Sequence, residues 1–301
     1  MMQVVVTKLR LSTVNSGVLA LVATLIIWSS YFVALRSGAQ SALTSFDMAL
    51  LRFVLPGLLL LPVLYRSRGT ICKVKKRYLL GVMVGAGLPF YLLSVIASGN
   101  VQAVIGSLLV PGVAPVFVTV IAVCFYRERL AKRRVVGLGT VLLGIAILMA
   151  ENYNTQSSSA LFGSLLYLLA AACWAVYTVS VKLAKLSSLE IAALLNITAA
   201  TGLLVAAPMG VFETNLSIVP WQQILPQLVV MGGFCGLVAV ITYGHAINKL
   251  GAEMSACWGA MTPVLVAILA FLILRESLQL STIVAMLVIT LGVVCANFKL
   301  K

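Results

Sequence analysis

The run from Val18 to Leu35, VLALVATLIIWSSYFVAL, carries no charged residue, and comparable apolar stretches recur to the end of the chain. Ten can be counted, centred near Leu25, Leu58, Leu88, Val116, Leu143, Ala172, Leu203, Leu237, Val266 and Val288. Segments of about 17 to 25 apolar residues are long enough to cross a hydrocarbon core of roughly 30 Å as helices. Of the 301 residues, 62% are hydrophobic and 9% charged, against roughly a quarter charged in an ordinary soluble domain. The connectors are short, and none has room for a soluble domain. The expected fold class is an all-α integral membrane protein with ten transmembrane helices.

The net charge of +14 raises the question of nucleic acid, and its distribution answers it. Basic residues crowd the connectors Arg66–Arg77 and Arg127–Arg134, with Lys8, Arg10, Lys182, Lys185, Lys249, Lys299 and Lys301 on the same face if ten helices alternate. Only Arg36, Arg52 and Arg275 of the 21 cations remain for the interior or the other side. This is the positive-inside bias, which predicts cytoplasmic termini and a basic face toward anionic lipid rather than nucleic acid. Lys8 and Arg10 before an apolar run resemble a signal peptide. The run is too long for a signal core and has a counterpart later in the chain, so it reads as the first span. Six scattered cysteines without CxxC spacing predict neither disulfide framework nor zinc site, and no cofactor or metal is expected.

The chain also repeats itself. Gly17, Trp28, Tyr31 and Arg36 fall on Gly163, Trp174, Tyr177 and Lys182 at one offset. At an offset two residues longer, Asn100, Ser107, Pro115, Arg127, Glu128, Leu130 and Gly144 fall on Asn248, Ser255, Pro263, Arg275, Glu276, Leu278 and Gly292. Each half holds five spans, residues 17–150 and 161–297. Because five is odd, the second half starts from the opposite face, and the repeats are expected to be inverted about an axis in the membrane plane. Glu128 is then cytoplasmic and Glu276 outward. Pro115 and Pro263 are expected to loosen the backbone near mid-depth, as packing kinks or as flexible helices lining a path.

The pattern of Pro, an apolar run, Glu thirteen residues on and Gly a further sixteen, present in both halves, resembles an EamA domain. Two such domains in tandem resemble the ten-helix drug/metabolite transporter superfamily. The resemblance spans essentially the whole chain and includes Trp28, Trp174 and the pair Asp47 and Arg52. It implies a secondary transporter or exporter of small metabolites, often amino acids or their analogues, with a central cavity between the halves. The second half offers Asn196 where the first has Arg52.

Transport requires a polar or aromatic site near mid-membrane. Trp28 lies roughly 16 Å into its span at 1.5 Å per residue, and Trp174 is equally deep from the other face. Both are away from the interfacial belts that Trp and Tyr usually occupy. Tyr31 and Tyr177 share their helical faces. This quartet is the leading candidate for substrate contact, with ordinary packing as the competing reading. Tyr91 and Trp258 are further candidates, and Ser107 and Ser255 offer small polar surface. Tyr65, Tyr126 and Tyr243 read as headgroup-level anchors. Arg52 sits at a depth where a guanidinium must pair or face water; it either binds a substrate carboxylate or anchors a polar network. Asp47 is an awkward partner within the same helix. Arg36 and Lys182 read as snorkelling anchors, Glu128 and Glu276 as caps, ion-pair partners or gates, and His245 as a hydrogen-bonded packing residue. Gly81, Gly85, Gly232 and Gly236 are spaced for close helix approach. No carboxylate is expected at the bilayer centre, which points to facilitated diffusion or to coupling without a central acid.

The leading reading is therefore a transporter, and specifically an exporter, of small organic molecules in a bacterial cytoplasmic membrane. A monomer suffices, because the internal repeat supplies both halves of a cavity. A nucleotide-sugar or phosphate-type carrier would call for more intramembrane cations than Arg52. A membrane enzyme would call for a cluster of His, acids and Cys that one histidine cannot supply. A channel is the remaining competitor.

Overall fold

The computed structural model describes residues 2–127, 130–154, 158–210, 212–250, 258–259 and 261–297, and the regular structure among them is all helical. The helices are α1 (Met2–Ala39), α2 (Ser45–Cys72), α3 (Lys76–Ala86), α4 (Leu88–Asn100), α5 (Ala103–Tyr126), α6 (Lys132–Asn154), α7 (Ser158–Ala184) and α8 (Ser188–Ala206). Then α9 (Trp221–Gln227) runs through a π-helical stretch, Leu228–Val238, into α10 (Ala239–Leu250). A further helix, α11 (Thr262–Leu269), ends in a second π-helical turn, Ala270–Leu274, before α12 (Leu280–Asn297).

Eight helical rods, counting α3 with α4 and α9 with α10, are long and apolar enough to cross a membrane. Among the described residues two further apolar helices, Thr262–Leu274 and Leu280–Ala296, are shorter. At 1.5 Å per residue they reach roughly 20 and 25 Å. Among the described residues the ninth run begins after a turn at Met261 just before Pro263, and the tenth follows the non-helical stretch after Arg275.

Two starts are set by matching local chemistry. Thr44 and Asp47 form a capping box on α2, and Ser187 and Glu190 form one on α8. In each, the hydroxyl accepts from the backbone N–H three residues on and the carboxylate accepts from the cap N–H. The helices these boxes begin run antiparallel: α2 meets α8 where Gly57 packs on Asn196 and Ala200, while Thr44 at the start of α2 donates to the Glu213 carbonyl beyond α8. Antiparallel too are α6 and α12, with Gly137 against Ala296 and Gly144 against Ile289. In α1 and α9–α10, Gly17 lies at Lys249 and Gly38 at Gln227. In α7 and α3–α4, Gly163 lies at Asn100 and Ser180 at Gly81.

The third and fourth spans of each half are irregular. Between α3 and α4 the chain breaks at Gly87 (φ −86°, ψ −145°), where a Cβ would collide with the Met83 carbonyl. In the second half the corresponding stretch is π-helical instead, an i→i+5 register found mostly as single turns at functional sites. The two prolines also differ. Pro115 lies inside the continuous α5, whereas Pro263 sits in the first turn of α11, where its missing N–H costs no helical hydrogen bond. Both helices that precede the Arg-Glu dipeptides do end alike, with Arg127 (φ 52°) and Arg275 (φ 58°) left-handed.

Candidate functional site

Aromatic side chains from both halves gather between α1, α4, α7 and α10. The Trp28 ring lies 4.8 Å from that of Tyr243. Across the cluster, Trp174 lies 5.3 Å from Phe90 and 5.0 Å from Tyr177. Each of the two groups joins side chains from both halves of the chain. These centroid distances fall in the range where tilted aromatic pairs attract. Tyr243, expected at the headgroups, belongs to this cluster: α10 packs antiparallel on α1 and carries it back to the depth of Trp28. Phe90 was not singled out by sequence, and its position just after the Gly87 break is the signal that marks it.

Beside the aromatic groups lies Arg52. Its guanidinium donates to Asn196 Oδ1 at 3.1 Å and stacks 5.0 Å from the Phe53 ring centroid. A Cβ on Gly236 would lie 3.1 Å from its Nη1, and the neighbouring Cys235 packs with Trp28 and Tyr31. Asp47 is no partner for it, being fully buried and taken up by Thr44 N, Thr214 Oγ1 and Asn215 N. Asn196 is held in turn by donating to the Ala192 carbonyl. The two positions that differ between the repeats are thus bonded to each other.

A track of polar groups follows α1. The Tyr31 hydroxyl is buried without a hydrogen-bond partner, as are Gln227 Oε1 and Thr262 Oγ1. Gln227 donates its amide to the Ala34 carbonyl and Ser29 donates to the Thr262 carbonyl. Unsatisfied buried polar atoms are costly and uncommon, and they concentrate where something else supplies the partner.

Other sequence candidates lie apart from this centre. Tyr91 is buried behind Phe53, its ring 5.3 Å away and its hydroxyl donating to the Met48 carbonyl. Ser107 is buried within α5 and donates to the Val104 carbonyl. Trp258 is 45% exposed. Ser255 and Glu128 lie outside the described residues. His245 Nε2 is 3.3 Å from Ser16 Oγ. Gly85 packs on α7 so closely that a Cβ would lie 2.5 Å from the Tyr177 nitrogen, and Gly232 and Gly236 similarly admit α2.

At the far end of α1, Arg36 is no snorkelling anchor. Its Nε pairs with Glu276 Oε1 at 2.8 Å, and its Nη1 donates to the carbonyls of Ser98 and Gly99. The second oxygen of Glu276 accepts from Ala103 N at the start of α5. One carboxylate thus ties the ends of α1 and α4 to the start of α5, while the equivalent cation, Lys182, is exposed. The difference follows from partners, since Arg36 meets two free carbonyls at the end of α4.

The model of the EamA-like transporter family matches residues 15–150 and again 161–298. The chain belongs to the EamA-like transporter family. With eight membrane-length apolar helices, this EamA-like protein is an integral membrane protein. An uncharacterized transporter of Archaeoglobus fulgidus is 24% identical over 93% of the chain and 97% of its own length. The uncharacterized transporter YoaV of Bacillus subtilis is 24% identical over 93% of this chain and 96% of its own. A crystal structure superposes with a TM-score of 0.63 at 17% identity, covering 94% of this chain and 97% of the other. That likeness concerns the fold alone.

Proposed function

We propose that this EamA-like protein is a secondary transporter, working as an exporter, of small organic metabolites such as amino acids and related compounds. It moves them by alternating access between two inverted five-helix repeats, residues 17–150 and 161–297, in a bacterial cytoplasmic membrane with both termini inside. The observation that carries this reading is the aromatic cluster at Arg52, to which both halves contribute: Trp28, Tyr31 and Phe90 from one, Trp174, Tyr177 and Tyr243 from the other. A site assembled from both halves changes its exposure when one half rocks against the other. The inverted arrangement is supported by helices at equivalent places in the two halves, α2 with α8 and α6 with α12, running antiparallel. On this reading the two short helices α11 and α12 complete a set of ten spans.

The substrate contacts are Trp28, Tyr31, Arg52, Trp174 and Tyr177, with Tyr91 as support beneath Arg52. Ser107, Ser255 and Trp258 belong to the path leading to them. Pro115 and Pro263 flank moving segments, and Glu276 with Arg36 forms the outer latch that opens when cargo leaves; Glu128 is its counterpart at the inner side. The protein acts as a monomer with membrane lipid and its substrate as partners. Such a carrier shows saturable counterflow: vesicles holding the purified protein and preloaded with a compound accumulate labelled copies of it. A ligand-induced thermal-shift screen over amino acids, organic acids, nucleosides and organic cations selects the compounds. Counterflow that Trp28→Ala and Trp174→Ala both abolish is expected. Flux that never saturates would identify a channel.

A further inference from the structure

Arg52 is a charge in search of its opposite. Of the five N–H donors of a guanidinium, one is engaged, by the neutral Asn196. Among the described residues the only ion pair is Arg36 with Glu276 at the far end of α1, and Asp47, on the same helix as Arg52, is fully occupied at the N-terminus of α2. A cation inside a membrane bundle pairs, faces water or marks a ligand path. Near it stands a second donor, the buried Tyr31 hydroxyl, which has Ser94 as a neighbour but makes no hydrogen bond of good geometry, and Trp28 packs alongside.

From this arrangement we infer that the central site takes monocarboxylate anions with an apolar or aromatic body. Arg52 and the Tyr31 hydroxyl donate to the carboxylate, and Trp28, Trp174 and Tyr177 hold the body. The inference rests on the transporter reading above and narrows its cargo. Nothing among the described residues offers an ammonium group a carboxylate partner in this cluster, so a cationic centre on the cargo is not required and is disfavoured. A single guanidinium is too little for a phosphate dianion with its doubled charge. In the empty state Asn196 holds the guanidinium in place, which spares the cargo the cost of ordering it.

The charge has a consequence for energetics. A monoanion leaving a cell whose interior is about 100 mV negative is driven outward, and the potential alone sustains a gradient of ~50-fold. No protonatable acid at the bilayer centre is needed for this. Outward movement therefore carries one net negative charge per cycle.

Four probes sharing one phenyl body test the inference: 3-phenylpropionate, 3-phenylpropionamide, phenylalanine and phenethylamine. Tryptophan-fluorescence titration of the purified full-length protein is expected to give the tightest binding for 3-phenylpropionate. Arg52→Gln is expected to weaken it at least ~10-fold while leaving the amide unchanged, with Arg52→Lys intermediate; thermal unfolding of each variant reports whether it is folded. In proteoliposomes, with protein-free vesicles as control, a valinomycin-set interior-negative potential is expected to speed export of 3-phenylpropionate. Tighter binding of phenethylamine or of the amide, dependent on Trp174 and indifferent to Arg52, would overturn the carboxylate claim while leaving the central site intact. Failure of all four probes to bind would overturn it as well, while counterflow of another compound blocked by Trp28→Ala would still uphold the transporter reading.

Discussion

Asp47 illustrates how much one side chain does when it is buried with all its lone pairs used. It closes the capping box of α2 and, through Thr214 and Asn215, ties the connector that follows α8 onto the same helix start. Replacing it with Ala leaves the Thr44 hydroxyl cap but strands three donors, Thr44 N, Thr214 Oγ1 and Asn215 N, which is expected to cost about 2–4 kcal/mol from the lost charge-assisted hydrogen bonds. Thermal unfolding in detergent measures it, and Asp47→Asn should lose less, because an amide oxygen still accepts. Glu276 acts differently. Its side chain is 10% exposed, and Arg36's is 16% exposed, so Glu276→Gln leaves a largely buried guanidinium with neutral acceptors alone, the amide oxygen and the carbonyls of Ser98 and Gly99. A loss of about 1.5–3 kcal/mol is expected from one charge-assisted hydrogen bond, seen as a lowered unfolding temperature. Under the latch reading, counterflow quickens in this variant; unchanged stability would remove Glu276 from any such role.

At the scale of helices, the irregular elements carry the sharpest expectations. Gly87→Ala places a methyl against the Met83 carbonyl and should sharply lower the yield of folded protein. Gly69→Ala, where a Cβ meets nothing within 4 Å, should be silent in the same size-exclusion assay. Equal yields from the two would mean that the α3–α4 break does not depend on glycine. The second helix of each half starts on the same local chemistry, T-x-x-D and S-x-x-E each building a capping box. The repeat is less informative inside helices, because a proline's effect depends on whether the helix has already begun. Pro115 enters an established helix, while Pro263 follows a turn at Met261 and opens one. The π-helical stretch left no sequence signal beyond its glycines, since its register answers to α2, whose Leu51 carbonyl and Pro56 press on Gly232 and Gly236.

For the whole molecule, the antiparallel run of α2 and α8 puts Gly69 and Ser217 at opposite faces. In a cysteine-free background, Gly69→Cys is expected to react with an impermeant maleimide only from the cytoplasmic side, and Ser217→Cys only from outside. Labelling of both from one side would contradict the orientation drawn from the basic connectors. The apolar runs, the duplication and the scarcity of interior charge were legible in the chain, because desolvation acts on each segment by itself: a backbone in lipid must be helical and a charge there must be exceptional. Span position alone made Trp28, Trp174, Tyr31, Tyr177 and Arg52 the candidates for a central site. Which side chains meet was decided only by packing. Spans apolar all round give no stripe to say which face turns inward, and so Tyr243 joining Trp28, Arg52 bonding Asn196 and Arg36 reaching Glu276 across most of the chain depended on helix contacts that no local pattern records.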